Sequence, residues 1–229
     1  MRSLIIRFLD CEGPGVIEDI LKEKGYSVTY HDAYKKGLHL IPESHQIFDI
    51  IVLMGGPQTV YDPGQYSFFA PYFELVEDSL EIPNNKVIGV CLGSQILAKV
   101  LGGEVKKGEK GVEVGFSKVQ GINKTHPIFA GIESNEMLAF HLHEDTFTLP
   151  KGTEHLLSSS MYENQMFSYQ NRAFALQCHL ELTFPMLQVW QRVHKKYMEP
   201  LGYSLDFMRE KQVQMEKDAK IIFNNIIQL

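Results

Sequence analysis

The chain has 229 residues, of which 44% are hydrophobic, 22% charged and 11% aromatic, a globular balance that excludes a disordered, collagen-like or coiled-coil protein. No apolar run approaches the roughly 18 residues of a membrane span, and a formal net charge of −6 offers phosphate backbones and anionic lipid no broad attraction. Nucleic acid and membrane are therefore excluded as partners. Cys11, Cys91 and Cys178 are too few for a disulfide framework and contain no CxxC. The first apolar stretch is short and broken by Arg7, unlike a signal peptide, so a cytoplasmic protein is expected.

Leu4–Leu9 reads as a buried strand. A helix over 15–24 follows, with Ile17, Ile20 and Leu21 on one face and Gly25 as its stop. Strands are expected at 26–30, 48–54 and 86–90, with a helix at 68–80 between the last two. Strands apolar on both faces and joined through helices imply a parallel sheet covered on both sides. Beyond about residue 104 the segments shorten and alternate, at 112–119, 137–140, 155–158, 165–169 and 173–178, which predicts a mixed or antiparallel extension of the same sheet. Helices over 183–198 and 204–227 close the chain. No repeat or linker divides it. The expectation is one α/β domain over 1–200, with a C-terminal helix in 201–229 packed on it.

Gly89-Val90-Cys91-Leu92-Gly93 places a cysteine between an apolar strand and an amphipathic helix. This is the layout of a nucleophile elbow, where small flanking residues permit a tight turn. Free N–H groups and the positive end of the helix dipole there stabilise a thiolate. Near the end of the last strand, Gln177-Cys178-His179-Leu180-Glu181 puts a histidine and a carboxylate two apart, on one face of an extended chain that Gln177 shares. That pattern suits a base and the group that orients it. Gly55-Gly56-Pro57 ends the third strand, and ligands of open parallel sheets bind beyond the carboxyl ends of the strands.

Together these segments resemble the class I, or triad, glutamine amidotransferase family, whose members share a flavodoxin-like fold. The family's G-x-C-x-G-x-Q stands as Gly89 to Gln95, its Q-F-H-x-E as Gln177 to Glu181, and its G-G-P as Gly55 to Pro57. Free-standing GMP-synthase-like members carry E-I-G-W, here Glu113-Val114-Gly115-Phe116. They also carry H-G-D-T-F-x-L-P, here His143 to Pro150. The resemblance implies a glutaminase: Cys91 attacks the side-chain amide, His179 carries the proton to ammonia, Glu181 holds the imidazole, and water resolves a γ-glutamyl thioester. It further implies an oxyanion hole from the N–H groups of Gly56 and Leu92, and substrate contacts from Gln95 and Asp145. No cofactor is expected. The partners implied are glutamine and an ammonia-accepting synthetase or substrate, and this chain has no G-x-x-x-x-G-K-[ST] phosphate loop of its own.

Two positions depart from the family pattern. Glu144 replaces the glycine of H-G-D; if that glycine has positive φ or borders the substrate, a long anion there distorts or narrows the site. Cys178 replaces the usual Phe and reads as a packing change. His141-Leu142-His143 could also bind a cation, with Asp145 or His179 as further ligands, although no third ligand is evident and no metal is expected. Other readings of the same residues are a γ-glutamyl amide or peptide hydrolase and a regulatory relative whose pocket Glu144 spoils.

Overall fold

A computed structural model describes residues 1–229. Eleven strands and seven α-helices follow in chain order: β1 (Arg2–Arg7), α1 (Val16–Glu23), β2 (Ser27–Asp32), α2 (Ser44–Ile47), β3 (Ile50–Leu53), α3 (Tyr66–Glu81), β4 (Lys86–Val90), α4 (Leu92–Val100), β5 (Val105–Lys107), β6 (Glu113–Gly121), β7 (Glu136–His143), β8 (Asp145–Phe147), β9 (Glu154–Ser159), β10 (Met166–Tyr169), β11 (Ala173–Leu176), α5 (Phe184–Val193), α6 (Lys195–Met198) and α7 (Leu205–Gln228). Nine strands form one sheet in the order β2-β1-β3-β4-β11-β10-β9-β6-β7. The first five are mutually parallel. The last four attach antiparallel, each to its neighbour. The parallel core with an antiparallel extension is the architecture expected from the strand patterns.

Alternation along the parallel strands divides the core. Ile5, Ile50, Val52, Ile88 and Val90 face the layer formed with α1, α5 and α7. Leu4, Ile6, Ile51, Leu53 and Val87 face the layer formed with α3 and α4. These strands are apolar on both faces because both are covered. Met208, Met215, Ile222, Phe223 and Ile226 of α7 are buried in the first layer. The helix is capped by Ser204, whose hydroxyl accepts from Phe207 N–H at 3.1 Å.

Three local differences from the sequence reading bear on the site. The helix expected over 183–198 breaks at His194 (φ −97°, ψ 35°) into α5 and α6. The strand expected to reach 178 stops at Leu176, and His179 instead pairs antiparallel with Phe140, through Phe140 N–H to His179 O at 3.0 Å and His179 N–H to Phe140 O at 2.8 Å. β5 and β8, three residues each, form a separate ribbon in which Lys107 faces Asp145; segments that short carry no period to read. No helix is long and apolar enough to cross a membrane.

Candidate active site

The strand β4 runs into Cys91, which takes φ 50°, ψ −107° before α4 begins. A non-glycine residue at positive φ is strained and persists only where its surroundings over-determine it. Here Cys91 N–H is tied to Leu176 O at 2.7 Å, and Cys91 O accepts from Ser94 Oγ at 2.6 Å. The flanking glycines are sterically required. A Cβ on Gly89 would overlap the Gly93 carbonyl, and one on Gly93 would overlap the Leu53 carbonyl. The thiol thus sits at the N-terminus of α4, above the ends of β3 and β4. The N–H groups of Gly56 and Leu92 have no acceptor within the protein.

Behind Cys91, His179 and Glu181 are fully buried, with Nδ1 2.8 Å from Glu181 Oε1. Trp190 presses its ring edgewise on the imidazole, 4.9 Å between centroids. Trp190 is itself fixed by an Nε1–H bond to Cys11 O at 3.0 Å. The backbone of Glu181 is held by the start of α1, where Val16 N–H donates to Glu181 O at 2.9 Å. Gly15, at φ 48°, passes so close that a Cβ would overlap that carbonyl. Burial disfavours charge on His179, but the Glu181 carboxylate and the Cys91 thiol outweigh it and raise its pKa well above 6.5.

A cavity of about 300 Å³ opens at the thiol, at the small end of the roughly 300–1,000 Å³ range of small-molecule sites. Cys91, Gly56, Gln95 and Asp145, all expected from sequence, line it. Gln95 Nε2 donates to Gln177 Oε1 at 3.1 Å. Asp145 Oδ1 accepts from Tyr61 at 3.0 Å, and burial raises its pKa against that bond. Glu144 meets one half of its expectation, since it also lines the cavity, and not the other. Its φ is not positive, and its side chain stands 38% exposed at the rim, 3.1 Å from Lys107 of β5. It neither strains the loop nor carries an unmatched charge. Cys178 is buried in the core, where burial raises its thiol pKa.

The His141-His143 pair does have a third group, and it is neither Asp145 nor His179. Antiparallel pairing of β6 and β7 sets Glu113 opposite His143. Glu113 Oε2 lies 3.0 Å from His143 Nε2 and 3.3 Å from His141 Nδ1. One ligand atom from each residue falls within 4.8 Å of the others, a spacing that could hold a metal ion. However, Gln165 Nε2 also donates into Glu113 Oε2 at 2.7 Å. His143 Nδ1 faces the Asp145 carbonyl at 3.0 Å. Acceptors thus stand beside both nitrogens of the His143 ring, and Glu113 joins His143 and Gln165 in a buried hydrogen-bond network, whereas neither nitrogen of buried His141 has a hydrogen-bond partner. Glu12, from the Glu12-Gly13-Pro14-Gly15 loop after β1, and His194 and Tyr197, from the broken helix, also line the cavity. Sequence reasoning missed all three. A glycine- and proline-rich loop at the carboxyl end of a parallel strand was a signal for Glu12; the other two had none.

The profile of the class-I glutamine amidotransferase family matches residues 9–185. The chain belongs to this family. A glutamine amidotransferase from Thermotoga maritima superposes with a TM-score of 0.87 at 32% identity, covering 100% of this chain and 96% of that one. Among sequence relatives, this class-I chain is 34% identical over 139 residues to a glutamine-hydrolysing GMP synthase component of Sulfolobus acidocaldarius, spanning 59% of this chain and 68% of the relative. It is 26% identical over 144 residues to gamma-glutamyl peptidase 2 of Arabidopsis thaliana, spanning 61% and 54%.

Proposed function

We propose that the chain hydrolyses the side-chain amide of glutamine, with Cys91 as nucleophile, His179 as proton carrier and Glu181 as the group orienting the imidazole. The observation that carries this reading is the buried His179–Glu181 pair at 2.8 Å behind a cysteine held on a strained turn at a helix N-terminus. In the charged form favoured for His179, the imidazolium stabilises the Cys91 thiolate. The thiolate sulfur bonds to the amide carbon, and the oxyanion is received by the free N–H groups of Gly56 and Leu92. Such donors are worth about 2.7–4 kcal/mol of barrier each. The proton passes from His179 Nε2 to the departing nitrogen, ammonia leaves, and water, deprotonated by the same nitrogen, resolves the thioester to glutamate. Gln95 and Asp145 bind the amino-acid end. The ammonia is destined for an acceptor or partner synthetase, as the name of the Sulfolobus relative suggests for that protein.

The test is an assay of purified protein with glutamine and with asparagine, following glutamate or aspartate together with ammonia. Equimolar glutamate and ammonia from wild type and none from Cys91→Ala are expected. Turnover by Cys91→Ala would remove the thioester route. A second reading, hydrolysis of γ-glutamyl amides larger than glutamine, is supported by His194 and Tyr197, which line the same cavity as Cys91.

A further inference from the structure

The electrostatics of the cavity do not match glutamine alone. Glu12, Glu144 and Asp145 line it, and no lysine or arginine does. Lys107 reaches Glu144 from outside, and the histidines His143 and His194 also line the cavity, which leaves Glu12 and Asp145 as its carboxylates without a lysine or arginine partner. Asp145 has a neutral donor, Tyr61. Glutamine brings one ammonium and one carboxylate, so its binding adds no net positive charge.

Glu12 is the informative residue. Its side chain is 7% exposed, and its Oε2 is shielded from solvent with no hydrogen-bond donor. Its other oxygen has only His194 Nε2, at 3.6 Å. A buried carboxylate oxygen without a donor costs free energy that the fold does not recover. It also lies beside the reacting thiol: the point where a Cβ on Gly55 would sit is 2.6 Å from Glu12 Oε2 and 3.5 Å from Cys91 Cβ. A carboxylate so placed takes its missing donor from the ligand, and a cation is the donor favoured by a carboxylate that no lysine or arginine matches.

We propose that the Cys91 cavity accepts γ-glutamyl amides whose amine portion carries a second, cationic nitrogen, and that Glu12 receives that ammonium. The inference rests on the reading of Cys91 as a nucleophile toward γ-glutamyl amides. The chemistry balances as for glutamine. The Cys91 sulfur–carbon bond forms, the carbon–nitrogen bond breaks, His179 gives its proton to the departing nitrogen, and the diamine leaves. Water then divides between the acyl group and the regenerated thiol, with no redox partner.

The experiment compares three γ-glutamyl conjugates of matched length: diaminobutane (cationic end), pentylamine (neutral end) and aminopentanoate (anionic end), with glutamine in parallel. For wild type, kcat/KM for the diaminobutane conjugate is expected to exceed that for the pentylamine conjugate at least about tenfold, roughly one well-placed charge contact, with the anionic conjugate lowest. Glu12→Gln should bring the cationic-to-neutral ratio within about threefold while changing the neutral conjugate's own kcat/KM little. Hydrolysis of all three at similar rates, or a ratio that survives Glu12→Gln, overturns the proposal while leaving glutamine hydrolysis by Cys91 intact. If neither glutamine nor any conjugate is turned over, the nucleophile reading fails separately. Calorimetric binding of the three conjugates to Cys91→Ala then decides the charge preference by itself: tighter binding of the cationic conjugate supports it, and equal binding overturns it. Glu12→Gln melting well below wild type would mark Glu12 as a structural acceptor and also overturn the proposal.

Discussion

Replacing Glu113 with alanine should destabilise the protein more than any substitution at the cavity rim. Its Oε2 accepts from Gln165 at 2.7 Å, meets His143 Nε2 at 3.0 Å and lies 3.3 Å from His141. All four side chains are buried. Removing the carboxylate leaves buried His143 and His141 without their carboxylate partner and takes one acceptor from the Gln165 amide, which keeps Ser159 Oγ at 3.1 Å. Breaking a buried pair by deleting one partner costs about 3–5 kcal/mol, which for a chain of this size lowers Tm by roughly 6–20 °C. Glu113→Gln keeps the shape and one acceptor and should lose about half as much. The acid side supplies a second readout. Burial works to raise the Glu113 carboxyl, but its contacts with His141 and His143 outweigh that and hold it below the ordinary carboxylate range. Because the folded value is the lower one, this stabilisation is complete above about pH 4.5 and is lost as pH falls through the folded value. The stability gap between wild type and Glu113→Gln should therefore close in acid, measured by urea denaturation across a pH series. A Tm for Glu113→Ala within about 2 °C of wild type would refute the network, since about 3 kcal/mol is incompatible with so small a shift. Loss of wild-type Tm on adding a chelator would replace the hydrogen-bond account with a bound cation.

Iodoacetamide near neutral pH should label Cys91 before Cys11, whose thiol is pushed up to about 11 by burial and Glu12, and before buried Cys178; peptide mass spectrometry showing either labelled first would remove the elbow as an activating geometry. Cys91→Ala and His179→Ala should abolish turnover, whereas Glu181→Ala should keep a measurable remainder because Glu181 orients without bond making; equal loss in all three contradicts those roles. His179 has a raised folded pKa, so its stabilising contribution is full below about pH 6.5 and is lost as pH rises through the folded value. Denaturation curves should accordingly show the advantage of wild type over Glu181→Gln narrowing toward alkaline pH, and a constant gap would contradict the ion pair. Glu144→Gly should change KM for glutamine by less than about tenfold, because Lys107 at 3.1 Å already matches that charge; a larger fall in KM would mean the side chain turns into the cavity when substrate binds.

The parallel half of the fold and the elbow were legible because they are written locally. Runs such as Ile50–Leu53 are apolar on both faces and need covering on both. The Gly89–Gly93 spacing states a steric requirement that the Leu53 and Gly93 carbonyls enforce. His179 and Glu181 were legible as neighbours two residues apart, though the strand meant to align them ends at Leu176, and their approach comes from pairing with Phe140 and the start of α1.

What only the tertiary structure decided are the charge partnerships. Glu113 meets His143 across 30 residues because β6 and β7 pair in one register. Lys107 disarms Glu144 through a ribbon of two three-residue strands, and Glu12 and Cys91 both pack against Gly55. A sequence fixes which ionisable groups exist and, through local sterics, where a turn must bend. Coulomb energy depends on separation and on exclusion of water, and both are set only when distant segments pack.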